Sequence, residues 1–97
     1  MMDDKTFDLV FSNLNKGKAL EKEKKYEEAL DIYLENLKFN PEGMDYYVRP
    51  CIVLEKLGRY DDAIDICQQG LIQIKLGKFN GDVSALNKRI ERLKKKK

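Results

Sequence analysis

Displaced by 34 residues, the chain lies on itself without a gap. Leu20-Glu21-Lys22 falls on Leu54-Glu55-Lys56, Tyr26 on Tyr60, Ala29 on Ala63, Asp31-Ile32 on Asp65-Ile66 and Leu37 on Leu71. Eight of the eighteen positions from 20 to 37 are identical, and four more are conservative exchanges: Lys25/Arg59, Glu27/Asp61, Glu28/Asp62 and Leu30/Ile64. A repeat of this length restricts the fold to a supersecondary unit stacked on its own copy, since each unit's apolar face is closed only by its neighbour.

Inside each copy the apolar residues recur at three- and four-residue steps, as an amphipathic helix requires. Ala29, Ile32 or Tyr33 and Leu37 form one stripe, and Ala63, Ile66 or Cys67 and Leu71 its echo. Upstream lie Phe7, Val10, Phe11 and Leu14, and then Tyr47, Cys51 and Leu54. Each copy is thus two helices with a tight turn, at Lys24-Lys25-Tyr26 and at Gly58-Arg59-Tyr60. Gly58 suits a helix end because glycine enters the left-handed region without a Cβ clash. Glu27, Glu28, Asp61 and Asp62 open the following helices, where capping and the positive end of the dipole favour them. The pattern predicts an all-α protein with helices near 5–24, 27–39, 43–57, 60–76 and 82–96. Residues 1–97 form one domain on this reading, with repeat one at about 10–43, repeat two at about 44–77 and a last helix at about 82–96. Residues 1–4 and the terminal lysines are expected to fray.

The period, the stretch Tyr26-Glu27-Glu28-Ala29-Leu30, its echo Tyr60-Asp61-Asp62-Ala63-Ile64, and Asn40-Pro41 resemble the tetratricopeptide repeat over about residues 10–75. The resemblance implies helix-turn-helix units stacked as a short right-handed solenoid. It also implies that a small residue of each first helix, Gly17 or Cys51, lets that helix approach Ala29 or Ala63. Three features depart from the family. Asn13 stands where a large apolar residue is favoured, and its counterpart is Tyr47. Pro50 falls inside the third helix, where it removes a backbone donor, so that helix is expected to bend there or to begin later. The fourth helix continues through Ile74, Lys75 and Leu76 until Gly77 stops it. In the last helix Val83, Leu86, Ile90 and Leu93 make an apolar stripe with charges on the other faces, as a cap over an open repeat end requires.

Catalysis finds little support. The chain has no histidine, which removes the commonest general base and metal ligand. Cys51 and Cys67 lie on the packing stripes of repeat two, at the places of Gly17 and Tyr33 in repeat one, and read as small buried residues. They lack the partners for a zinc site, and a redox pair depends on a geometry that spacing alone does not define. No catalytic residue, metal or cofactor is assigned, and the chain is read as a non-enzyme. No apolar run approaches the length of a membrane span, and the acidic start Met1-Met2-Asp3-Asp4-Lys5 is unlike a signal peptide. Two thiols without an export signal point to the cytoplasm.

What remains is surface. The resemblance implies that the first helices of the two repeats line a concave groove that holds a peptide or helix of a partner protein. The residues it places there are Phe11, Leu14, Asn15, Lys18, Glu21 and Lys22 from repeat one, and Asp45, Val48, Arg49, Ile52, Glu55 and Lys56 from repeat two. Phe11, Leu14, Val48 and Ile52 make an apolar strip, while Lys18, Arg49 and Lys56 set the charge preference. Arg49→Glu and Ile52→Asp should then weaken partner capture without unfolding the domain. The last helix or the N-terminal extension is equally able to cover this strip. A first alternative is a homodimer through this strip or through the Val83–Leu93 stripe. A second is a nucleic-acid or ribosome accessory role for the C-terminal tip. The chain carries 19 Lys and Arg against 17 Asp and Glu; without Lys94–Lys97 the count is 15 against 17, so a mildly acidic body ends in a basic tip. No aromatic residue is interleaved there for base stacking, which weighs against nucleic acid. No membrane partner is expected.

Overall fold

The computed structural model describes residues 3–97. Five helices follow one another: α1 (Asp4–Lys22), α2 (Tyr26–Leu37), α3 (Asp45–Lys56), α4 (Tyr60–Lys75) and α5 (Val83–Lys96). They match the expected elements to within a few residues, and there is no strand among the described residues. The ends are better held than expected. Asp3 caps α1, its side chain accepting from the Thr6 N–H at 2.8 Å, so Asp4 is already helical, and α5 runs through Lys96. Residues 1 and 2, also expected to fray, lie outside the described part.

Three of the helices end in the same way. Lys24, Gly58 and Gly77 adopt φ of +61°, +74° and +77°. At each, the left-handed residue and the one after it donate back to carbonyls three and five residues earlier: Lys24 to Glu21 and Lys25 to Leu20, Gly58 to Glu55 and Arg59 to Leu54, Gly77 to Ile74 and Lys78 to Gln73. These paired bonds satisfy last-turn carbonyls that a helix leaves open. The repeat thus reproduces the turn, with a lysine bearing the left-handed backbone in the first copy. Helices α2 and α4 begin after Lys25 and Arg59 without a side-chain cap. Their first-turn acids therefore act through the dipole, and the capping role expected for them is not seen. α2 ends differently: Asn40 is left-handed at φ +47° before buried Pro41.

Helix α1 packs on α2, α2 on α3, α3 on α4 and α4 on α5, so neighbours in sequence are neighbours in space. The Cα extents of 40 × 33 × 17 Å describe a slab two helices thick. Ala29 and Ala63 are fully buried in the two hairpin interfaces. Around them the two copies fill equivalent places with differently sized pairs. In repeat one Gly17 faces Tyr33, whose ring would lie 2.2 Å from a Cβ added to the glycine. In repeat two the same places hold Cys51 and Cys67, with sulfurs 3.0 Å apart. The other pair trades in the same manner. Asn13 donates to the Asn36 side chain at 3.1 Å, and Asn36 in turn donates to the Val10 carbonyl at 2.9 Å. Their counterparts are Tyr47 and Gly70, where a Cβ on the glycine would come 3.1 Å from the tyrosine ring. Asn13 is therefore no defect; its amide serves a buried hydrogen-bond chain that replaces the aromatic packing of the second copy.

Of the two outcomes expected at Pro50, a bend or a later start, the later start does not occur. The helix starts at Asp45 and passes through the buried proline. Only the Tyr46 carbonyl, four residues back, loses its intrahelical donor. The Leu86, Ile90 and Leu93 side chains of α5 are 1%, 7% and 0% exposed, so most of the stripe offered for self-association is already spent against the rest of the chain. Val83 alone of that stripe remains exposed.

Candidate functional site

The face built by α1, α3 and α5 carries two adjoining cavities. One, of about 580 Å³, is lined by Lys18, Glu21 and Lys22 of α1, Tyr26 of α2, and Arg49, Ile52 and Lys56 of α3. The other, of about 420 Å³, is lined by Ile52, Glu55 and Lys56 of α3 and by Arg89, Arg92 and Lys96 of α5. Ile52 and Lys56 belong to both, so a single trough runs from α1 across α3 to α5. Helix α5 forms its far wall and does not roof it.

Salt bridges tie this wall together. Arg49 donates from Nε and Nη2 to the two oxygens of Glu21, at 3.0 and 2.6 Å, and the Tyr33 hydroxyl donates to the same carboxylate. Burial, then the Glu21 bond and its charge, push the Tyr33 phenol well above its usual pKa; the Glu21 bond likewise raises that of Arg49. Glu55, the counterpart of Glu21, accepts from Arg92 at 2.7 Å and from Lys96, with Arg89 3.7 Å away. Burial pushes the Glu55 carboxyl up, but Lys96, Arg92 and Arg89 outweigh it and hold the group below the ordinary value. Lys18 pairs with exposed Asp45 at 3.1 Å. Among the described residues Lys22 and Lys56 enter no ion pair, and Lys56 sits over the Tyr26 ring, 5.5 Å from its centre.

The residues expected in the groove therefore divide. Lys18, Lys22, Arg49, Ile52, Glu55 and Lys56 do line the trough. Leu14 does not; at 6% exposure it belongs to the core. Val48 is half-buried against the core, and Asn15 is exposed without lining either cavity. Phe11 is 49% exposed and stacks in parallel on Phe7, with ring centres 6.0 Å apart. The expected apolar strip is thus broken: Leu14 packs inward, Ile52 is central and Phe11 stands with Phe7. The contributions of Tyr26, Arg89, Arg92 and Lys96 were not anticipated. One signal for Arg89 was available, since it stands 34 residues after Glu55, as Glu55 does after Glu21.

The basic tip is partly folded back. Arg92 and Lys96 meet Glu55, and Lys97 meets Asp61. No group of three or more His, Cys, Asp or Glu side chains among the described residues is placed to hold a metal ion, and no described helix is long and apolar enough to cross a membrane.

Over 58 residues the chain is 33% identical to a TPR repeat-containing protein, YsoA, of Bacillus subtilis (strain 168). The match covers 60% of this chain but only 17% of that relative's length. No family model matches the chain, and no solved structure does. The 34-residue period and the two alanine-centred hairpins make this an all-α chain of tandem helical repeats, two hairpins followed by a fifth helix, similar to the tetratricopeptide repeats for which that relative is named.

Proposed function

We propose that this chain is a protein-interaction module whose trough holds an extended or helical segment of a partner protein, with preference for an acidic segment carrying an apolar anchor. One observation carries the reading: Lys22 and Lys56, with no ion pair of their own, flank Ile52 in an open cavity of about 580 Å³. Arg89, Arg92 and Lys96 extend the same sign of charge along α5 around a single carboxylate. A surface of mainly positive charge with an apolar floor steers and retains a complementary segment. The repeat-containing relative supports the general class, and a place in the cytoplasm is proposed on the free thiols. No catalytic role is proposed.

The structure changes which substitution tests this. Arg49→Glu would set a second carboxylate against Glu21 and strain the fold, so it is a poor probe of binding. Lys22→Glu with Lys56→Glu alters the trough while leaving every hydrogen bond described above in place. Wild-type domain and the double variant are used side by side to capture partners, and retained proteins are read by mass spectrometry at low and raised salt. The reading requires partners with acidic segments that the variant and raised salt both release. Identical retention by the two proteins would end it.

A further inference from the structure

We propose that Cys51 and Cys67 form a peroxide-oxidisable dithiol that closes into a disulfide across the second hairpin. Both side chains are fully buried, Cys51 on α3 and Cys67 on α4, and their sulfurs stand 3.0 Å apart. That is about 1 Å beyond a disulfide bond of ~2.05 Å, so closure asks for a small side-chain shift and no separation of the helices. In repeat one the same places hold a glycine and a tyrosine, so the fold does not demand sulfur here. The site is graded in the way a stepwise reaction needs. The Cys67 thiol is held below its usual pKa, first by a hydrogen bond from Cys51 and then by the charges of Arg89 and Arg92, against the opposing effect of burial. Cys51 is pushed up by the neighbouring sulfur and by burial, and its sulfur also lies 3.2 Å from the Ala63 carbonyl. Cys67 is therefore the sulfur that gives up its proton more readily, and Cys51 the one that keeps it.

Complete burial selects the oxidant. Both sulfurs are closed even to water, so any oxidant reaches them only through local opening of the hairpin, and hydrogen peroxide, not much larger than water, needs a smaller opening than a low-molecular-weight disulfide. The Cys67 thiolate attacks one peroxide oxygen and breaks the O–O bond, giving a sulfenic acid and hydroxide. The Cys51 sulfur then attacks the Cys67 sulfur and expels the second hydroxide. The Cys51 proton and the proton already lost by Cys67 convert the two hydroxides to water. Two thiols and one peroxide thus become one disulfide and two waters; the sulfurs lose two electrons and the peroxide gains them. Added thiol reductant reverses the change after local opening of the hairpin.

The test uses the full chain. After brief exposure to hydrogen peroxide, excess oxidant is removed and the protein is unfolded, treated with iodoacetamide and weighed. The proposal requires loss of the mass of two hydrogens, no alkylation at either cysteine, and full alkylation after dithiothreitol. The oxidised protein should also melt higher, by about 10 °C or more for a loop of this size. Cys51→Ser and Cys67→Ser each lack the partner sulfur and should gain oxygen or stay alkylatable. If wild-type protein remains alkylated at both cysteines under peroxide that oxidises free cysteine, or forms only chain-to-chain disulfides, the proposal is overturned. These readouts do not involve the trough and stand or fall separately from the binding proposal.

Discussion

Arg49 grips Glu21 through two charge-assisted hydrogen bonds, at 2.6 and 3.0 Å, while the Tyr33 hydroxyl donates to the same carboxylate. One side chain, only 7% exposed, therefore gathers α1, α2 and α3 and spans the boundary between the repeats. Glu55 repeats the device one unit later, receiving Arg92 and Lys96 from α5. The carboxylate near the end of each first helix thus anchors the first helix of the next unit. Both anchors lie on the wall proposed for binding.

Breaking the first anchor should be costly. A largely buried carboxylate that loses its partner carries its desolvation penalty uncompensated, so Arg49→Ala is expected to destabilise the fold by about 3 kcal/mol. Denaturant unfolding measures this, and the Arg49→Ala/Glu21→Gln double variant should recover part of the loss. A change in Arg49→Ala below about 0.5 kcal/mol, the scale of an exposed pair, would show that Glu21 does not depend on it.

Gly17 tests the compensated packing of the first hairpin. Alanine would normally favour a helix over glycine by about 1 kcal/mol. Here its Cβ would lie 2.2 Å from the Tyr33 ring, and overpacking of this kind costs about 1–3 kcal/mol. Gly17→Ala should therefore lower the thermal midpoint, whereas at exposed helix sites the same exchange raises it. Introduced together, Gly17→Cys and Tyr33→Cys copy the second repeat and should destabilise less than the sum of the single changes, as a double-mutant cycle would read. Strict additivity would deny the pairing.

Gln73 offers a stabilising change. It is 8% exposed on α4, and its side-chain oxygen is buried without a hydrogen-bond partner among the described residues. An unmet buried acceptor costs about 1–3 kcal/mol. Gln73→Leu, close in volume and without that oxygen, should raise stability by about 1 kcal/mol. Loss of stability in that variant would mean that the oxygen has a partner in solution.

Glu55 sets a pH dependence. Its folded pKa is depressed, so its contribution is present above the unfolded value of about 4.3 and is lost as pH falls through the lower folded value. Acid titration of stability should therefore show a slope below about pH 4.3 that Glu55→Gln flattens. An unchanged acid slope in Glu55→Gln would assign it to other carboxylates.

Much of this architecture was legible because a 34-residue period carries helix, turn and packing position together. Tyr26-Glu27-Glu28-Ala29-Leu30 and its echo marked the start of each second helix, and Ala29 and Ala63 lie where the resemblance put them, sealed between helices. The site was less legible. Leu14 and Lys18 lie one helical turn apart, yet one belongs to the core and the other to the trough. Phe11, on the same side of α1 as Lys18, remains outside both cavities. Pro50 illustrates the other limit, because its local preference left a bend and a later start both open, and α3 starts at Asp45 and runs through the buried proline.

Periodicity by itself determined the number and order of the helices and most of their inward faces, since a stripe every three or four residues leaves water by turning toward its neighbour; Phe7, Phe11 and Val83 of those stripes stay exposed. Only the tertiary structure decided which charges meet. Glu21 with Arg49 and Glu55 with Arg92 and Lys96 join residues 28 to 41 positions apart on separate helices. Their reach depends on how far each hairpin slides and turns against the next, a property of packed side chains that no local pattern encodes. The two cysteines obey the same rule: their spacing put both on inner faces, and only the docking of α3 on α4 brought the sulfurs to 3.0 Å.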